Sequence, residues 1–100
     1  METLRLNINF LKDIPPQIFR PLENLKTLDL GRNLLKNLHN MTFSGLTELM
    51  VLGLQSNRIS NLPENVFDQT SNLTYLYLQY NNISYIADGA FQHLSKLVTL

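Results

Sequence analysis

A gapless period of 24 residues is the feature that most narrows what this chain of 100 residues can fold into. Position 4 of each repeat is Leu4, Leu28, Leu52, Leu76 and Leu100, and position 6 is Leu6, Leu30, Leu54 and Leu78. Position 9 is Asn9, Asn33, Asn57 and Asn81, and position 19 is Phe19, Phe43, Phe67 and Phe91. Positions 11 and 14 are Leu or Ile throughout. Position 22 is Leu22, Leu46, Thr70 and Leu94, with Thr70 the one departure. A coiled coil needs a seven-residue spacing and a lone amphipathic helix one near 3.6, so neither fits. Such a chain must repeat one structural unit and bury its apolar columns between neighbouring copies.

The columns have a physical reading. Leu at positions 4 and 6, flanked by variable residues at 3, 5 and 7, is the alternation of a short strand with one buried face. Strands recurring every 24 residues through a return segment stack in parallel. Asn at position 9 ends the strand, and its amide carries two donors and an acceptor, enough to satisfy backbone groups turned away from the sheet. Phe at position 19 fills the far side of each coil, with rings expected to stack at about the 4.8 Å strand spacing. Pro15, Pro16, Pro21 and Pro63 fall on the return segment, where no ladder N–H is required.

The motif L-x-x-L-x-L-x-x-N-x-L-x-x-L, with Phe at 19 and Leu at 22, resembles the leucine-rich repeat. The 24-residue length is similar to that family's "typical" subfamily. The resemblance covers residues 1–100: repeats 1–24, 25–48, 49–72 and 73–96, and the start of a fifth at 97–100. It implies an α/β solenoid: a right-handed coil, a parallel β-sheet on the concave face, and irregular or short-helix return segments on the convex face. It also implies an extracellular or cell-surface location. The family's Cys-rich caps have no counterpart here, so the sequence reads as one array excerpted from a longer one. Leu4, Leu6 and Phe19 are then expected to lie open at one end, and Leu97 and Leu100 at the other.

Composition excludes several functions. Lys plus Arg is 8 and Asp plus Glu is 8, so no net field favours nucleic acid or a membrane surface. Cys is absent, which removes disulfides, thiolate metal sites and a cysteine nucleophile from this stretch. No apolar run is long enough for membrane insertion. The acidic residues show no metal-ligand spacing, and His39 and His93 fall on the outer side as solvated residues. The expectation is therefore a non-catalytic chain with no cofactor and no metal.

Function is then sought at positions 2, 3, 5, 7, 8 and 10, which vary and which the resemblance places on or beside the ligand face. Tyr75 and Tyr77 share one strand face, with Tyr80 at its edge, and large rigid rings with polar tips suit binding. Gly53 is expected beside Tyr77 as a shallow step. Arg5 neighbours Asp29 at position 5 and reads as a cross-strand ion pair, with Arg32 and Arg58 nearby. Tyr75, Tyr77, Tyr80, Arg32, Arg58 and Asp29 are the candidate partner-binding residues. Lys12 and Lys36 share position 12 and read as a solvated edge. Three sequons begin at Asn40, Asn72 and Asn82, none in a core column. The leading expectation is a recognition module of an extracellular receptor or adhesion protein, taking a protein or peptide ligand on its concave sheet. The alternative is a structural or matrix-assembly module of proteoglycan type.

Overall fold

The computed structural model describes residues 2–92 and 94–96; Met1, His93 and the fifth-repeat start at 97–100 lie outside them, as do the expectations for Leu97 and Leu100. Each repeat contributes one short strand to a four-stranded parallel sheet: β1 (Thr3–Arg5), β2 (Thr27–Asp29), β3 (Val51–Gly53) and β5 (Tyr75–Tyr77). The register advances by one period per strand, as in Leu4↔Leu28↔Leu52↔Leu76. The rung continues past the assigned strands. Leu30 N–H donates to Gly53 O at 2.8 Å and Arg32 N–H to Gln55 O at 2.9 Å, and the same pair of bonds recurs one repeat to either side.

The position-4 and position-6 leucines of the inner repeats, Leu28, Leu30, Leu52 and Leu54, are wholly buried and belong to one continuous core cluster. Leu4 and Leu6 at the chain's start are only half-buried, but Phe19, expected to be open, is buried within the same cluster. Its return turn, closed by Arg20 N–H to Gln17 O at 3.1 Å, folds the ring against the core. Thr70 is wholly buried where Leu recurs elsewhere, and its hydroxyl donates to Phe67 O at 3.2 Å, which satisfies the one polar group in that column.

The asparagines form a ladder inside the coil. Asn33 Nδ2 donates to Leu6 O, Leu30 O and Gly31 O at 3.0, 3.0 and 3.2 Å, and its Oδ1 accepts from Leu11 N–H at 3.2 Å. Asn57 repeats the set with Leu30 O, Leu54 O, Gln55 O and Leu35 N–H. Asn81 does so with Leu54 O, Leu78 O, Gln79 O and Ile59 N–H. Each side chain therefore links its own turn to the preceding repeat. Asn9 bonds only within its own turn, to Leu6 O and Asn7 O, and is exposed.

This ladder requires a backbone feature that the period alone does not give. Strict alternation from positions 4 and 6 would send position 8 inward and position 9 outward. Instead position 8 is left-handed in all four repeats: Ile8 (φ 55°), Arg32 (φ 55°), Ser56 (φ 58°) and Tyr80 (φ 62°). One such residue breaks the alternation and turns Asn inward. The conformation costs a non-glycine residue roughly 1–2 kcal/mol, and a β-branched one is the worst placed. Ile8 is 66% exposed and so has little packing to lose. Ile8→Gly is expected to raise stability by about 0.5–1 kcal/mol in urea titrations, and an unchanged or lower midpoint would refute the strain at position 8.

Phe43, Phe67 and Phe91 stack as expected, but at ring-centroid distances of 6.1 and 6.0 Å rather than at the strand spacing. Equivalent atoms of successive repeats are thus farther apart on this side than in the sheet, at about 4.8 Å. The array curves with the strands on its inner face.

The return segments differ from expectation. Among the described residues there is no helix, so the short-helix and α/β parts of the expected fold are corrected. The segments are successive turns closed by i to i+3 bonds, such as Leu22 N–H to Phe19 O at 2.9 Å. Left-handed residues interrupt them at Gln17, Asn65 and Gly89 in the first, third and fourth repeats and at Gly45 in the second, and Pro15, Pro16 and Pro63 withhold donors. A second, two-stranded parallel sheet also appears, pairing β4 (Asn61–Leu62) with β6 (Tyr85–Ile86) at positions 13 and 14.

Candidate functional site

On the inner sheet the leucines occupy the core face, so positions 3, 5 and 7 stand on the open face. Register places Asp29 between Arg5 and Gly53, and Gly53 between Asp29 and Tyr77. These residues, with Val51 and Gln55, surround a depression of about 160 Å³. Tyr75, 38% exposed, pairs in register with Val51 beside it.

Glycine at positions 31 and 53 leaves room for two side chains to fold over the sheet. A Cβ on Gly31 would stand 2.5 Å from Gln55 Nε2, and one on Gly53 would stand 2.9 Å from Asp29 Oδ1 and 3.0 Å from Gln55 Oε1. The expected step beside Tyr77 is therefore not empty: the Asp29 carboxylate and the Gln55 amide lean over it. Arg5 and Asp29 are register neighbours but form no ion pair. The carboxylate instead accepts the Gly31 N–H at 2.9 Å, a local turn bond that holds it over the sheet. Gln55 Oε1 is buried and has no donor among the described residues. The depression thus presents a fixed carboxylate, a guanidinium and a phenol at one spot, with the unpaired Gln55 Oε1 enclosed among them.

The other candidates part from this group. Tyr80 is 80% exposed at the left-handed turn that follows β5, and Arg32 occupies the equivalent turn after β2. Arg58 lies beyond the turn and lines a different and larger cavity, about 450 Å³, with Lys12, Lys36 and His39. Gln55 is not legible as a site residue in the sequence, where it is one of several position-7 residues and carries no distinguishing local pattern. Lys12 and Lys36, expected as a solvated edge, are exposed and line that cavity, and their recurrence at position 12 is the visible signal.

The sequons differ in access. Asn40 and Asn82 are exposed. Asn72 is half-buried, with its amide donating to Thr47 O at 3.0 Å and accepting from Lys96 Nζ at 2.9 Å. Among the described residues no three His, Cys, Asp or Glu side chains gather to hold a metal ion, and no helix is long and apolar enough to cross a membrane.

Comparison with known proteins gives a consistent picture. The family model described as Leucine rich repeat matches residues 1–49 and 47–100. The leucine-rich repeat domain of APL1B superposes with a TM-score of 0.94 at 30% identity, over 99% of this chain and 29% of that one. Toll, in the Toll–Spatzle complex of Drosophila, superposes at 0.87 and 32% identity, over 97% of this chain and 13% of that one. Its glycosylated form gives 0.93 and 29%, over 96% and 13%. The chain thus spans between about an eighth and under a third of these proteins' length. No curated protein matches it significantly.

Proposed function

The chain belongs to the leucine-rich repeat family, and from that premise we propose that its inner sheet is the surface on which an extracellular or cell-surface protein recognises a protein or peptide ligand without catalysis. The observation that carries this reading is the depression over Gly53. The core columns are accounted for by packing and the Asn ladder, whereas Arg5, Gln55 and Tyr77 converge with Asp29 on the open face, and of these only Asp29 also serves the coil, through the bond from Gly31 N–H. Tyr75 and Tyr77 extend the site with rings whose ordering costs little entropy on binding. The Toll structure is a complex with Spatzle, so an array of this kind is found in a complex with another protein. Tyr80, Arg32 and Arg58 border the face. The two exposed sequons, Asn40 and Asn82, are the ones proposed to carry glycan.

The test pairs capture with affinity. Proteins retained from conditioned medium by the immobilised chain are measured against Tyr75→Ala/Tyr77→Ala and against Glu64→Ala, an exposed change on a return segment. The double variant is expected to weaken Kd at least ten-fold, since buried aromatic anchors contribute about 2 kcal/mol or more each. Glu64→Ala should leave Kd unchanged. Equal losses from both would count against the inner sheet, and loss of self-association alone would point to the matrix-assembly role.

A further inference from the structure

The cavity that takes Arg58 lies beside the inner sheet, on the segments that follow the Asn turn. Three cations line it from three consecutive repeats: Lys12, Lys36 and Arg58. The repeats are held rung on rung there by Arg58 N–H to Leu35 O at 2.8 Å and Ser60 N–H to Lys36 O at 3.3 Å. None of the three side chains has an ion-pair or hydrogen-bond partner among the described residues. The cavity holds one acid, Asp13, whose Oδ1 accepts Ile14 N–H at 2.9 Å and lies 3.7 Å from His39 Nε2, so the three cations outnumber it.

A chain with as many acids as bases has collected unpaired cations of one sign in one recess. Lys12 and Lys36 occupy the same position one repeat apart, so each raises the other's electrostatic energy. Stability of the coil does not explain that arrangement, whereas an anionic occupant does. We propose that this groove binds an acidic segment of a protein ligand, with Asp or Glu carboxylates seated between Lys36 and Arg58 and reaching Lys12.

The groove's form selects a peptide over a polyanionic glycan. Its volume of about 450 Å³ accommodates a few side chains. The remaining cations do not line it: Lys26 and Lys96 line a separate cavity with Glu48, Arg5 borders the depression over Gly53, Arg20 is bonded to Gln17 at 3.2 Å, and Arg32 lies outside its lining. A neutral net charge supplies no long-range pull on a highly charged polymer. Leu34 adds an apolar wall for side-chain methylenes and Asn37 an amide for peptide groups. The protein nature of the occupant rests on the recognition role proposed above; the anion site itself does not.

The experiment is an amide-resolved NMR titration of the chain with tetraglutamate at low salt. Saturable shifts are expected at Lys36, Asn37 and Arg58. The K36Q/R58Q variant should bind at least about ten-fold more weakly, and raising salt to about 0.15 M should weaken the wild type several-fold. The variant's urea midpoint should stay level or rise, because like charges are removed; a fall would give the cations a structural role instead. Undiminished binding by K36Q/R58Q, or shifts centred elsewhere, overturns the proposal. So does a heparin-derived tetrasaccharide that displaces tetraglutamate at a lower concentration than tetraglutamate itself requires. Tyr75→Ala/Tyr77→Ala should bind tetraglutamate normally, so failure of the groove and failure of the inner-sheet reading are separable.

Discussion

Asn57→Ala is expected to lower the unfolding free energy by about 3–5 kcal/mol, while Asn9→Ala lowers it by less than about 1 kcal/mol. The difference follows from the ladder. Removing the Asn57 amide strips Leu35 N–H of its acceptor and takes one of two side-chain donors from each of Leu30 O and Leu54 O. The orphaned N–H costs roughly 1–3 kcal/mol, the two weakened carbonyls roughly 0.5–1.5 kcal/mol each, and the vacated volume adds to both. Asn9 is exposed, and Leu6 O keeps its donor from Asn33 when Asn9 is lost. Urea denaturation of the two variants side by side checks the argument. Similar losses at both positions would show that the ladder between repeats is not what holds the turn.

The second large effect lies on the outer side. Phe67→Ala should cost about 3–5 kcal/mol, with Phe67→Leu closer to 1–2 kcal/mol. The ring is wholly enclosed and stacks on Phe43 and Phe91 together, with interplanar angles of 8° and 13°. Its loss also weakens the coupling across the third repeat. In an array whose units touch only their neighbours, that coupling makes unfolding a single event. The urea transition of Phe67→Ala is therefore expected to broaden as well as shift, the slope falling relative to wild type. A clean shift with the slope preserved would mean that coupling runs through the sheet and the Asn ladder alone.

The two proposed binding surfaces were unequally legible. Tyr75 and Tyr77 stand out in the sequence because they share a strand face in varying columns, and the register places them where the period puts them. The depression between them and Arg5 was hidden. It depends on the Asp29 carboxylate turning to Gly31 N–H rather than to Arg5, and on Gln55 folding over two glycines. The basic groove was half-visible as Lys12 and Lys36. Arg58 sits at a different position of a different repeat, and only the coil brings it to them.

By itself the sequence determined the period, the parallel strands, their register and the inward columns. All follow from one apolar pattern repeated at one spacing, because each copy can bury its leucines only against the next. The tertiary structure decided the rest. Ile8, Arg32, Ser56 and Tyr80 share a left-handed backbone that none of their side chains favours. Hydrogen bonds between neighbouring repeats impose it, outweighing a local penalty of roughly 1–2 kcal/mol. The second sheet has a similar origin: lateral pairing of Asn61 with Tyr85 forms only when successive coils lie side by side, a relation that no single repeat encodes.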